Sequence, residues 1–154
     1  MIRVLFVCLG NICRSPMAEA KMRDLVAQEN LSDKIEVDSA ATSTNHIGEP
    51  PHHGTQEKLR EYGISTTGME ARQLKKGDFE QFEYIVGMDD SNIGNINKML
   101  GNPDSPKIFR FLDLTDHKKD VPDPYYTGDF QETYDLVEEG CQALLQKIKQ
   151  EHML

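Results

Sequence analysis

The stretch Val4-Leu5-Phe6-Val7-Cys8-Leu9-Gly10-Asn11-Ile12-Cys13-Arg14-Ser15-Pro16 decides how the chain folds. An apolar run ends in a cysteine, a loop with Gly10 and Asn11 follows, and Arg-Ser-Pro leads into helical spacing. Strand, loop and helix start in that order form an anion site, because unpaired N–H groups and the positive end of the helix dipole point into the loop. Pro16 suits the first helical turn, where its missing N–H costs nothing. Gly10 and Asn11 tolerate left-handed backbone angles, so the loop can curl and aim successive N–H groups inward. A thiol over those donors and beside Arg14 is expected to have a depressed pKa and to act as a nucleophile. Arg14 can grip two phosphoryl oxygens with its fork, and Ser15 can donate its hydroxyl to the Cys8 sulfur. Cys and Arg at a fixed gap occur by chance, and an inert cysteine at a strand end is the plainer alternative. The flanking strand, the loop residues and the helix start favour covalent phosphate chemistry instead.

Working outward, Ile2 to Val7 reads as a buried strand. From Pro16 to about Asn30, Ala18, Met22, Leu25 and Val26 recur at helical spacing. Ile35 to Ser39 is expected as a second strand and Ala40 to Pro51 as a loop. His52 to Tyr62 reads as a helix stopped by Gly63. After a polar connection come a strand at Tyr84 to Met88 and a helix carrying Ile93, Ile96 and Leu100, capped by Asp89-Asp90-Ser91. Lys107 to Leu112 is the expected fourth strand and Asp113 to Asp129 a loop. The last helix runs from about Phe130 to Gln150, with Tyr134, Val137, Cys141, Leu144, Leu145 and Ile148 on its buried stripe. Strands alternating with helices predict an α/β fold, an open four-stranded parallel sheet with helices on both faces. Ligands then sit at the carboxyl ends of the strands, where the Cys8 loop falls.

The 154 residues are read as a single domain, 1–154, large enough for its own core. Hydrophobic content of 38% and a mean hydropathy of -0.58 fit a soluble protein. The first apolar run is too short for a signal-peptide core or a membrane span, so the expected location is the cytoplasm. A formal charge of -9 argues against nucleic acid or an anionic membrane as partner. An anionic substrate must therefore be drawn in by a local positive field. Three cysteines fit neither a disulfide framework nor a zinc pattern, and the five histidines are scattered, so no metal site is expected.

A thiolate attacking phosphorus needs a proton donor for the leaving oxygen. Asp123 lies between Pro122 and Pro124, a stiff frame that aims its side chain. Positioned general acids contribute about a hundred- to ten-thousand-fold in rate. Asp120 competes for the role without that frame, and an Asp-Pro pair on its own is more often a plain turn.

These residues resemble the low-molecular-weight protein tyrosine phosphatases of bacterial type. The likeness rests on Val7-Cys8-Leu9-Gly10-Asn11-Ile12-Cys13-Arg14-Ser15-Pro16-Met17-Ala18-Glu19 and Asp123-Pro124-Tyr125-Tyr126, with Asp38-Ser39 and Met88-Asp89-Asp90-Ser91-Asn92 between them. It implies a flavodoxin-like topology and hydrolysis of phosphotyrosine in proteins through a cysteinyl-phosphate. By resemblance Cys8 is the nucleophile, Arg14 the phosphate clamp and Asp123 the general acid and base. Leu9, Gly10, Asn11, Ile12, Cys13 and Arg14 supply the N–H cradle, with Ser15 beside it, and Asn11, Ser15 and Ser39 support the loop. The resemblance implies no cofactor or metal, a phosphotyrosine-containing protein as substrate, inorganic phosphate as product, and a monomer. Cys13 takes on a redox role, forming a reversible disulfide with Cys8 under oxidation; simple space-filling is the alternative.

Two departures bear on the site. The family often has an aromatic residue, commonly Trp, after the second strand, where this chain has Asn45-His46. One wall of the cleft is therefore expected to be more polar, with Tyr125 and Tyr126 still offering aromatic surface. Some members place a His before Ala-Arg-Gln as loop support; here Met69-Glu70 precede Ala71-Arg72-Gln73. Three rival readings remain. Protein arginine phosphatases tend to carry Thr where Ile12 stands. Arsenate reductases need further cysteines that residues 80 to 100 lack. A phosphotyrosine-binding module has no use for both a thiolate and an acid.

Overall fold

The computed structural model describes residues 1–154. Four parallel strands, β1 (Ile2–Cys8), β2 (Ile35–Ala41), β3 (Tyr84–Gly87) and β4 (Ile108–Arg110), pair in the order β2-β1-β3-β4. The chain steps from β1 to one side and returns on the other. The ends of β1 and β3 thus make a switch point, where side chains and N–H groups can surround a ligand. Cys8 closes β1 opposite Ala41 of β2.

Central β1 shows why its sequence is apolar without alternation. Val4 and Phe6 pack into a large core on one face, Leu5 and Val7 into a smaller one on the other. Helices α1 (Arg14–Gln28), α2 (His53–Glu61) and α6 (Phe130–His152) cover the larger core. The smaller core is closed by α4 (Asp90–Met99) and the segment around the one-turn helix α3 (Asp78–Gln81). No helix is long and apolar enough to cross a membrane.

The elements depart from the sequence reading in instructive ways. Helix α1 starts at Arg14, before Pro16, and every residue from Arg14 to Met22 is buried, polar Arg14, Ser15, Glu19 and Lys21 included, so its first half has no solvent-exposed side. Strand β2 runs on to Ala41, because pairing with β1 continues to Cys8. The polar connection holds α3, anchored by a fully buried Asp78 that accepts from the Arg72 guanidinium and the Lys75 N–H. Strand β4 is half the expected length: Phe111 leaves it in a 3-10 turn, Phe111–Leu114, to meet Phe6 edge-on at 5.2 Å. Gly140 of α6 makes room for that ring, since a Cβ there would lie 2.6 Å from it. The expected loop 113–129 contains the short helix α5 (Pro124–Thr127).

Candidate active site

Between β1 and α1, the loop 9–13 turns back over the strand ends. Asn11 takes φ 57, the left-handed conformation its side chain tolerates. Gly10 serves differently from expectation: its φ is not positive, but a Cβ there would lie 3.1 Å from His46 Cδ2. The Asn11 N–H donates to Cys8 Sγ at 3.3 Å. The N–H groups of Leu9, Gly10, Ile12 and Cys13 make no hydrogen bond within the chain. A curled loop with several unpaired amides around one sulfur is suited to an oxyanion.

The donors under the sulfur are ordered by a directional chain. The Arg72 N–H donates to Asn11 Oδ1 at 3.1 Å, which fixes the amide so that Nδ2 donates to Ser15 Oγ at 2.7 Å and Ser39 Oγ at 2.9 Å. Because Ser15 Oγ accepts there, its hydrogen is free for Cys8 Sγ, 3.0 Å away. Ser39 in turn donates to Glu19 Oε1 at 2.5 Å. Glu19 is 6% exposed, and burial raises its pKa against the opposing pull of Ser39 and Arg23. The Arg72 N–H therefore braces the Asn11 carbonyl in a chain that lacks His before Ala-Arg-Gln.

Arg14, 3% exposed, is clamped from behind: Nη1 donates to Asp89 Oδ2 at 2.7 Å and Val121 O at 2.9 Å, while Nη2 faces Asp123 Oδ2 at 3.4 Å. Burial works against its charge, but the Cys8 sulfur and the bond to Asp89 hold its pKa above the ordinary value. Asp123 caps α5, its Oδ1 accepting from the Tyr125 N–H at 3.1 Å, with Pro124 at the first helical position. The Cys13 thiol, buried at the last position of the loop, is pushed up to about 12, chiefly by burial and then by Asp123 and Cys8. It stays a neutral thiol.

Cys8, Leu9, Gly10, Ile12, Cys13, Arg14, Asn45, His46, Asp123, Tyr125 and Tyr126 line one cavity of about 150 Å³. Asn45 and His46 face the cavity on one wall and Tyr125 and Tyr126 on another: the His46 ring stands 6.2 Å from Tyr125, and its Nδ1 lies 3.0 Å from Glu49 Oε2. No group of three or more His, Cys, Asp or Glu side chains is arranged to hold a metal. Asp120, the competing acid, points elsewhere, bonded to the Asp90 N–H and Arg110. Asp89, Glu19, Arg72 and the Val121 carbonyl have structural partners at the site that the sequence reading missed. Asp89 was legible only as a helix cap, and it does cap α4 by accepting from the Asn92 N–H.

A model of the low molecular weight phosphotyrosine protein phosphatases matches residues 3–154. The chain belongs to that family. Low molecular weight protein-tyrosine-phosphatase YfkJ of Bacillus subtilis is 53% identical over 156 residues, 100% of each chain. Its crystal structure has a TM-score of 0.95 over 98% of this chain and 96% of that one, at 54% identity. The low molecular weight protein tyrosine phosphatase SP-PTP of Streptococcus pyogenes gives 0.87 at 44% identity, over 96% and 93%. A Drosophila arginine phosphatase gives 0.86 at 33% identity, over 97% and 98%. The four-stranded parallel sheet, the flavodoxin-like order and the phosphatase class are thus common ground between this chain and its family.

Proposed function

We propose that the chain hydrolyses phosphotyrosine in proteins, and small aryl phosphates, through a cysteinyl-phosphate. The observation that carries this reading is the shared pocket: Cys8, Arg14 and Asp123 line the same cavity, with Asp123 Oδ2 3.4 Å from Arg14 Nη2. The Cys8 thiolate attacks phosphorus, the P–O(aryl) bond breaks, and the Asp123 carboxylic proton passes to the leaving phenol oxygen. Water then attacks phosphorus, Asp123 takes its proton, the S–P bond breaks and inorganic phosphate leaves. Unpaired loop amides and the Arg14 fork follow the charge on the equatorial oxygens, and the Ser15 hydroxyl stabilises the departing sulfur. His46, Asn45, Tyr125 and Tyr126 hold the phenol ring. We read residues 1–154 as one domain acting as a cytoplasmic monomer without metal or cofactor, and Cys13 as the disulfide partner of Cys8 under oxidation.

The likeness to an arginine phosphatase structure favours phosphoarginine as the second reading. Against it stand the apolar Ile12 in the loop and the aromatic surface of Tyr125 and Tyr126. An arsenate-reducing relay finds no cysteine between residues 80 and 100, and Cys141 is fully buried with its thiol pushed far up by that burial. Measured without metal, kcat/KM is expected to favour a phosphotyrosine peptide strongly over phosphoarginine, and Cys8→Ser to release no phosphate from either. An excess for phosphoarginine would overturn the substrate; turnover by Cys8→Ser would overturn the covalent route.

A further inference from the structure

Asp120 and Val121 precede Pro122-Asp123; Val121 is fastened just past the end of β3, Asp120 at the start of α4 and the end of the edge strand β4. The Val121 N–H donates to Met88 O at 2.9 Å, and Val121 O accepts from Arg14. Asp120 Oδ1 accepts from the Asp90 N–H at 2.9 Å and from Arg110 Nη1 at 3.1 Å. Arg110 stands at the end of β4 with its side chain 18% exposed. Its Nε and Nη2 hold Asp113 Oδ1 at 3.0 and 2.8 Å, which turns Nη1 toward Asp120 and, at 3.3 Å, Asp90 Oδ2. One guanidinium thereby ties the 3-10 turn, the start of α4 and the segment leading into Asp123.

We propose that Arg110 and Asp120 are positioning residues for the proton donor, fixing where Asp123 presents its carboxyl. The inference rests on the reading of Asp123 as the general acid. The physical case is stiffness. Pro122 fixes its own φ and restricts Val121, so few free rotations separate the anchored Asp120 from Asp123. A lone exposed ion pair would contribute little. Here the carboxylate also accepts a backbone N–H, and the guanidinium is held on its other edge by Asp113, so the arrangement is a network with one geometry. Asp123 itself has two weak holds on its side chain, an N-cap bond to its own helix and the 3.4 Å contact with Arg14. Its placement is therefore inherited from the anchored residues upstream.

Asp123 also serves the later hydrolysis, which all substrates share, so the discriminating quantity is kcat/KM. It reports the step that forms the cysteinyl-phosphate, where a misplaced acid slows only substrates whose leaving group needs the proton. The test measures kcat and KM on phenyl phosphate and on p-nitrophenyl phosphate for the parent, Asp120→Ala, Arg110→Ala, Arg110→Lys, Asp123→Ala and the Asp120→Ala/Asp123→Ala double variant. Because a displacement of about 1 Å can cost about a hundredfold, Asp120→Ala and Arg110→Ala should lower kcat/KM on phenyl phosphate by roughly tenfold. The loss on p-nitrophenyl phosphate should be below about threefold, since that phenolate leaves with little protonation. Arg110→Lys should restore part of the loss, and Asp120→Ala should add nothing once Asp123 is gone. Equal losses of kcat/KM on both substrates, or a full further loss in the double variant, would reduce the cluster to a structural tie and overturn the proposal. If Asp123→Ala failed to discriminate between the substrates, the acid assignment would fall and the positioning role with it.

Discussion

Asn11 concentrates the work of the loop in one residue: its backbone turns the chain, its N–H reaches the sulfur and its side-chain amide sets both serines. The neighbouring Cys13 has a different character. Held neutral by burial, it is a poor first target for oxidants, whereas Cys8 sits in the cavity under N–H donors. Peroxide should therefore convert Cys8 to a sulfenic acid, which condenses with the Cys13 thiol, releasing water, to a disulfide that dithiothreitol reopens. Cys13→Ser should leave initial inactivation similar but cut activity regained on reduction by roughly half or more, as further oxidation proceeds unchecked. Unchanged recovery, followed by activity assay and intact mass, would return Cys13 to space-filling. At this scale the sequence was informative about which groups gather around the Cys8 sulfur, because Cys8, Arg14 and Ser15 share one short stretch. It was silent on Arg72 and Glu19. A backbone N–H from a distant loop carries no residue-type signal, and a glutamate on a helix reads as solvent-facing until the fold buries it.

Among the elements, α2 reaches the site loop from outside, since its His52 cap donates its N–H to Ile12 O at 2.7 Å and packs its ring against Phe130 at 5.3 Å. His52 Nδ1 accepts from the Gly54 N–H at 3.0 Å, which requires that nitrogen unprotonated. Burial, with His53 and His46 nearby, lowers the His52 pKa below its ordinary 6.5. The folded state thus binds this proton less readily than the unfolded chain. Stability from the group is complete above the unfolded value of about 6.5 and is lost as pH falls through the depressed folded value. His52→Asn keeps a capping acceptor without a titration. Thermal unfolding of parent and variant between about pH 8 and pH 5 should show the parent losing Tm faster on acidification; parallel curves would sink the idea. The helices α2 and α6 were readable because their periodicity is local. The shortening of β4 was not, since it depends on Phe111 finding Phe6 and the space above Gly140, contacts far apart in sequence.

For the whole molecule, topology and charge pull in different directions. The switch point between β1 and β3 gathers amides and Arg14 around one cavity, while the chain carries a formal charge of -9 and a pI near 5.0. Arg14 cannot offset that field at a distance: it is buried, and Asp89 at 2.7 Å and Asp123 at 3.4 Å already face it. A doubly charged phosphoryl group approaching from solvent therefore meets repulsion first and attraction only on contact. Salt screens exposed charges beyond about 8–10 Å at physiological strength but reaches the buried clamp much less. Raising ionic strength with sodium chloride from about 0.02 to 0.15 M should thus raise kcat/KM for a phosphotyrosine peptide with acidic flanks by roughly two- to fivefold. A peptide with neutral flanks should gain less, because only its phosphoryl charge feels the long-range field. The gain should lie in the second-order rate constant and leave kcat nearly unchanged, since the bound phosphoryl group is beyond the reach of screening. A fall in kcat/KM with salt would instead mean that a positive field extends from the mouth of the pocket, and the attraction assigned here to contact would have to act from afar.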